Sequence, residues 1–229
     1  MKELQALASH GNWRELLATA IKVKPSARDA DWHKLVVSAA VHVVNESTAA
    51  SSGAASTQDL LEVVPQAEAR YGFLRDDAGY LDAKARAVQR VAVACGGGEL
   101  GDCGGIVLAL SAGIQRFPKG TARRLAELVE RDVSAADALH FWRVAVAEQR
   151  EACQEPGVER AVISVLASDA AGAPLDEALH TARACLVPLE SALLQALIDA
   201  DDGSAFARNA CPMLKSRPGA SVAKKKKCH

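Results

Sequence analysis

Cysteine offers this chain its most conspicuous chemistry. Six are present, Cys95, Cys103, Cys153, Cys185, Cys211 and Cys228, an even count that admits 15 pairings into three disulfides. Cys95 and Cys103 bracket Gly96-Gly97-Gly98-Glu99-Leu100-Gly101-Asp102. A turn of that length between two helices brings their α-carbons within the roughly 7 Å that a disulfide requires, so a Cys95–Cys103 bridge is expected. Cys211 and Cys228 similarly bracket a C-terminal segment that has no other anchor. Bridges point to an oxidising compartment, periplasmic or extracellular if a leader preceded Met1. The alternative is a cytoplasmic protein whose cysteines are small buried hydrophobes.

The other reactive side chains do not assemble into a known pattern. The glycine-rich stretch lacks the Gly-Lys-Ser/Thr ending of a phosphate loop, follows no strand and carries acidic residues, so it reads as a helix-terminating loop. His10, His33, His42, His140, His180 and His229 are scattered, and none forms a His-x-x-x-His pair or joins a Cys-x-x-Cys. No Gly-x-Ser-x-Gly elbow occurs, and His140 and Cys153, expected on one helix, are too far apart along its axis to act together. The carboxylates Asp76-Asp77 and Asp201-Asp202 stand at expected helix starts, where they oppose the helix dipole. No catalytic residue, metal site or cofactor is therefore assigned.

The 229 residues suffice for a sizeable core without metals or crosslinks. Twenty-seven basic against 28 acidic residues leave a net charge of -1, which offers no global field for specific nucleic-acid binding. Lys224 to Lys227 make one local basic run, read as part of a flexible tail over 215-229. No stretch reaches the roughly 20 apolar residues of a transmembrane helix. Trp13, Trp32 and Trp142 fall on apolar helical stripes and are expected in the core. Phe141, rotated by about 100° from Trp142, is the aromatic expected to border a binding groove.

Apolar residues recur at three-and-four spacing through most of the chain, so the elements that must position these groups are helices. Asn12 with Glu15 reads as a capping-box start, ahead of Trp13, Leu16, Leu17, Ala20 and Ile21 on one face before Pro25. Ser26 is the next expected cap, for a helix bearing Trp32, Leu35, Val36, Ala39, Val43 and Val44. A Ser/Ala/Gly-rich loop is expected at about 45-56, then a helix near Leu60 to Arg70 that Pro65 kinks or begins. Further helices are expected from Leu81 to Cys95, Cys103 to Phe117, near Thr121, after the Ser134 cap, and after Pro156 and Pro174, with Pro188 dividing the last of these from its successor. No run alternates as a strand does.

About ten or eleven helices joined by short connections favour antiparallel hairpins in one all-α domain over 1-214. Taken in pairs they start at an irregular spacing of about 31 to 46 residues, which predicts a short irregular α-solenoid, with a globular helical bundle as the alternative. Residues 11-35 carry a local resemblance. Gly11-Asn12-Trp13-Arg14-Glu15-Leu16-Leu17, then Ala20, Pro25 and Trp32 with Leu35, resembles the junction between two tetratricopeptide repeats, although Gly11 to Pro25 is shorter than the repeat pattern and Val36 replaces its small residue. The architecture and this resemblance imply a non-enzymatic helical-repeat scaffold that binds a protein or peptide partner. The rival readings are an enzyme without a recognisable motif and a structural subunit that assembles with itself as a homo-oligomer.

Overall fold

A computed structural model of the protein describes residues 1-49, 54-95, 101-201 and 203-214. Among them are twelve α-helices and no strand, so the protein is all-α. The expected Cys211–Cys228 relation, the basic tail, most of the glycine-rich stretch and Asp202 lie outside the described residues. The helices gather into two compact units, Met1–Pro118 and Lys119–His229.

In the first unit α1 (Lys2–Ser9) leads through Gly11, in the left-handed region at φ 74°, into α2 (Trp13–Ala20). Asn12 makes no side-chain cap there. Helix α3 (Ala30–Ala49) starts later than Ser26, because Pro25–Ala27 closes a separate 3-10 turn. Its cap is Asp29, which accepts from the Trp32 amide at 2.9 Å. Trp32 is buried, and its indole N–H donates to the Ala20 carbonyl, which ties α3 to the end of α2.

The loop expected at 45-56 is mostly helix. Helix α3 continues to Ala49 and α4 (Ala54–Arg70) begins well before Leu60, with Pro65 in its interior. Ser47 and Thr48 continue α3 because their hydroxyls find acceptors within it or on the neighbouring α4. Thr48 donates to the Val44 carbonyl at 2.6 Å, the back-bonding open to Ser and Thr in helices, while the Ser47 hydroxyl, 3.0 Å from the Val43 carbonyl, has a closer, charged acceptor in Asp59 of α4 at 2.5 Å.

Helix α5 (Ala78–Cys95) is capped by Asp77, as expected of an acidic residue at a helix start. Helix α6 (Cys103–Ser111) is shorter than the expected Cys103 to Phe117. It breaks before Gly113, whose φ of 82° is incompatible with a right-handed helix. Cys95 and Cys103 lie at disulfide distance, Cα to Cα 5.9 Å. At the far end of α6 the Lys84 ammonium, 1% exposed, donates to the Ala112 carbonyl at 2.7 Å and pairs with Glu68 of α4 at 2.6 Å. The two helices are thus antiparallel and held at both ends. A cation at a helix C-terminus also meets the negative end of its dipole.

The second unit comprises α7 (Thr121–Asp132), α8 (Ala135–Glu148), α9 (Pro156–Ala167), α10 (Ala173–Ala184), α11 (Leu186–Asp199) and α12 (Ala205–Leu214). Ser134 caps α8 by accepting from the Asp137 amide, and Pro156 and Pro174 occupy first turns, as their types dictate. The break between α10 and α11 falls at Cys185, three residues before Pro188, and the axes bend there by 118°. Cys185 lies at disulfide distance from Cys153, Cα to Cα 5.2 Å, which pins the bend to the 3-10 turn Arg150–Gln154. Pro188 is then a tolerated first-turn proline. Cys153 sits on that turn and not on α8, so it shares no helix with His140.

Gly157 lets α9 approach α8 closely. A β-carbon there would overlap the Trp142 indole and lie 2.6 Å from Glu130 Oε2. Phe141 does not border a groove. It is 1% exposed and Trp142 2%, because α8 packs against α7, α9 and α10 together. Neighbours cover so wide an arc of α8 that a 100° rotation from one core residue still points inward.

Candidate binding pocket between α2, α3 and α4

Within the first unit, the N-terminal half of α4 is locked by a polar triad. Arg14 on α2 makes a two-pronged contact with Asp59 on α4, Nη1 to Oδ1 3.1 Å and Nη2 to Oδ2 2.6 Å. The Ser47 hydroxyl of α3 donates to Asp59 Oδ2 at 2.5 Å and accepts from Arg14 Nη2 at 3.0 Å. The Arg14 hydrogen bond, joined by that of Ser47, holds the Asp59 carboxyl below its ordinary range, and the same contact raises the Arg14 guanidinium above its own. Both side chains are partly exposed, 50% and 35%, so the pair contributes about 0.2 to 1 kcal/mol. Its larger effect is geometric, since it fixes Arg14 as a wall.

The C-terminal end of α4 is fixed by aromatic packing. Tyr71, 2% exposed, donates its hydroxyl to the Leu17 carbonyl of α2 at 2.5 Å. Its ring meets Trp32 edge-on at 5.9 Å, and Phe73 sits 5.8 Å from Trp32 on the same cluster. Burial pushes the Tyr71 phenol up in pKa, while the charges of Arg70 and Arg28 oppose that shift.

Between these anchors lies a pocket of about 140 Å³. Leu17, Val43, Val63 and Ala67 supply its apolar surface, and Arg14, Ala18, Gln66, Arg70 and Tyr71 complete it. Arg70 is exposed, and no carboxylate pairs with it among the described residues. One helical turn before it stands neutral Gln66. The pocket thus combines apolar walls, one arginine already held and one arginine with its donors open. Compared with family models, curated proteins and solved structures, the chain matches none.

The residues singled out from the sequence lie elsewhere. Cys95 and Cys103 close the α5–α6 hairpin, and Phe141 is in the core of α8. Trp13 is only half-buried and stacks on His42, ring centroids 4.2 Å apart. Among the described residues no three His, Cys, Asp or Glu side chains converge as a metal site would require, and no single helix is long and apolar enough to cross a membrane. The pocket was missed because α2, α3 and α4 bring together residues from three separate stretches, and none of them carries a motif.

Among the described residues, the buried charge pair Lys84 and Glu68 is a poor candidate for chemistry. Lys84 is enclosed and its ammonium is engaged by Glu68 and Ala112. Arg75 approaches the other Glu68 oxygen at 3.6 Å. The Tyr80 hydroxyl is buried near Glu68, and burial, then the Glu68 charge, pushes its pKa far above the phenol range. Lys84 and Tyr80 are fully enclosed, whereas Arg75 stands exposed at the edge of the group.

Proposed function

We propose that the protein is a non-enzymatic helical scaffold that binds a protein partner in an oxidising compartment, periplasmic or extracellular. The observation that carries the reading is the pocket on α2, α3 and α4. It matches a single inserted side chain in size, because a cavity of roughly 150 Å³ holds a benzene-sized group, whereas sites that engulf a small-molecule ligand run to about 300 Å³ or more. Its exposed rim, Arg14, Ala18, Gln66 and Arg70, is open for the rest of a partner to pass over. Two cysteine pairs at disulfide distance support the compartment.

The test uses Ala18→Phe. Ala18 is an exposed helical position on the pocket wall, so the larger side chain plugs the pocket and changes stability by no more than about 0.5 kcal/mol. Proximity labelling around the wild-type and plugged proteins, compared by mass spectrometry, is expected to identify a partner lost only from the plugged one. Identical partner sets with an intact fold would reject the pocket as the binding site.

A second reading, self-assembly, has one observation in its favour. Val187 and Ile198 on α11 are 81% and 49% exposed, and eleven residues apart they fall on one helical face. Sedimentation of the wild type against Val187→Asp distinguishes it, since only an α11-mediated oligomer would dissociate.

A further inference from the structure

The scaffold reading leaves the partner's chemistry open, and the pocket narrows it. Its apolar lining is mostly aliphatic, Leu17, Val43, Val63 and Ala67 beside the Tyr71 ring, and its size suits one branched side chain. The Arg14 guanidinium is committed to Asp59 and Ser47, so it cannot turn to a ligand without breaking the triad. Arg70 is different. It stands at the exposed C-terminal end of α4, no described carboxylate pairs with it, and its nearest same-face predecessors, Gln66 and Ala67, are neutral. An arginine fork beside apolar surface matches a carboxylate in two parallel hydrogen bonds.

We infer that the pocket recognises a peptide segment carrying a branched aliphatic residue next to an acidic one, with the aliphatic side chain among Leu17, Val43, Val63 and Ala67 and the carboxylate paired with Arg70. This rests on the scaffold reading and deepens it. A single open guanidinium suits a single carboxylate, whereas a phosphate group commonly gathers several donors. The volume is too small to enclose a drug-sized organic acid, so the rest of the ligand lies across the rim, as a peptide backbone does.

The experiment is a titration followed by proton–nitrogen correlation NMR of the oxidised 229-residue chain. Two capped peptides are compared, acetyl-Gly-Leu-Glu-Gly-amide and its Leu-Gln counterpart, with free 4-methylpentanoate as the small-molecule arm. The Leu-Glu peptide is expected to shift the amides of Ala18, Ala67 and Arg70, and to bind about fivefold tighter than Leu-Gln. In Arg70→Gln, an exposed substitution outside the core, that preference is expected to vanish while weak binding of both peptides persists. Equal affinity for the two peptides in the wild type would overturn the inference, as would a preference unchanged in Arg70→Gln or shifts confined to other surfaces. Tighter binding of free 4-methylpentanoate than of the peptide would also overturn it, in favour of a small-molecule site. If Ala18→Phe abolishes partner labelling but the peptides show no charge preference, the scaffold stands and only the carboxylate rule fails.

Discussion

Replacing Lys84 with methionine removes a charge that three elements share. The ammonium bonds Glu68 on α4 at 2.6 Å and the Ala112 carbonyl at the end of α6 at 2.7 Å, and the side chain is 1% exposed. Methionine fills most of the same volume, so little of the cost comes from a cavity. The cost comes from Glu68, left as a carboxylate whose side chain is only 11% exposed, and from an unmade bond at Ala112. Breaking a buried pair by removing one partner costs about 3 to 5 kcal/mol. Arg75, 3.6 Å from the second Glu68 oxygen, offsets part of the stranded charge, which places the expected loss near 3 kcal/mol. Urea unfolding followed by circular dichroism measures it. The companion variant Lys84→Met with Glu68→Met removes both charges, and because a well-packed apolar pair often replaces a buried ion pair without loss, it is expected to recover at least about 2 kcal/mol. A single-variant loss below about 1 kcal/mol, or a double variant no more stable than the single one, would refute the claim that Lys84 and Glu68 depend on each other.

Gly157→Ala is expected to destabilise the second unit by about 1 to 3 kcal/mol, since the added methyl group meets the Trp142 indole; a thermal midpoint equal to the wild type would show that α9 has room to move. Non-reducing peptide mapping of oxidised protein is expected to recover Cys95 joined to Cys103 and Cys153 joined to Cys185. By the chain-entropy argument, losing the second, whose partners are 32 residues apart, costs about 3.5 to 4 kcal/mol against about 2 to 3 kcal/mol for the first, 8 apart. Recovery of all four as free thiols from material never exposed to reductant would remove the support for an oxidising compartment.

Much of the one-dimensional organisation was determined by the sequence alone. Three-and-four spacing of apolar residues without strand alternation specifies helices, because a helix buries one face whatever it packs against. Local stereochemistry determined the starts at Ser134, Pro156 and Pro174, since a hydroxyl or a fixed φ acts within one turn. The Cys95 and Cys103 pair was legible for the same reason: eight residues of separation leave the partners little freedom to be elsewhere. Where several local signals compete, tertiary contacts decided. Ser26 and Asp29 are both good caps, and burial of Trp32 against Ala20 selects the later start. Ser47 and Thr48 look like loop residues until Asp59 of α4 is there to receive the Ser47 hydroxyl. Phe141 was misjudged because periodicity gives the direction of a side chain but not how many helices surround it. Cys153 with Cys185, Lys84 with Glu68 and Ala112, and the pocket that leaves Arg70 open all join residues distant in sequence. Their proximity depends on how whole helices pack, and apolar burial, being non-directional, writes no motif for that packing into the chain.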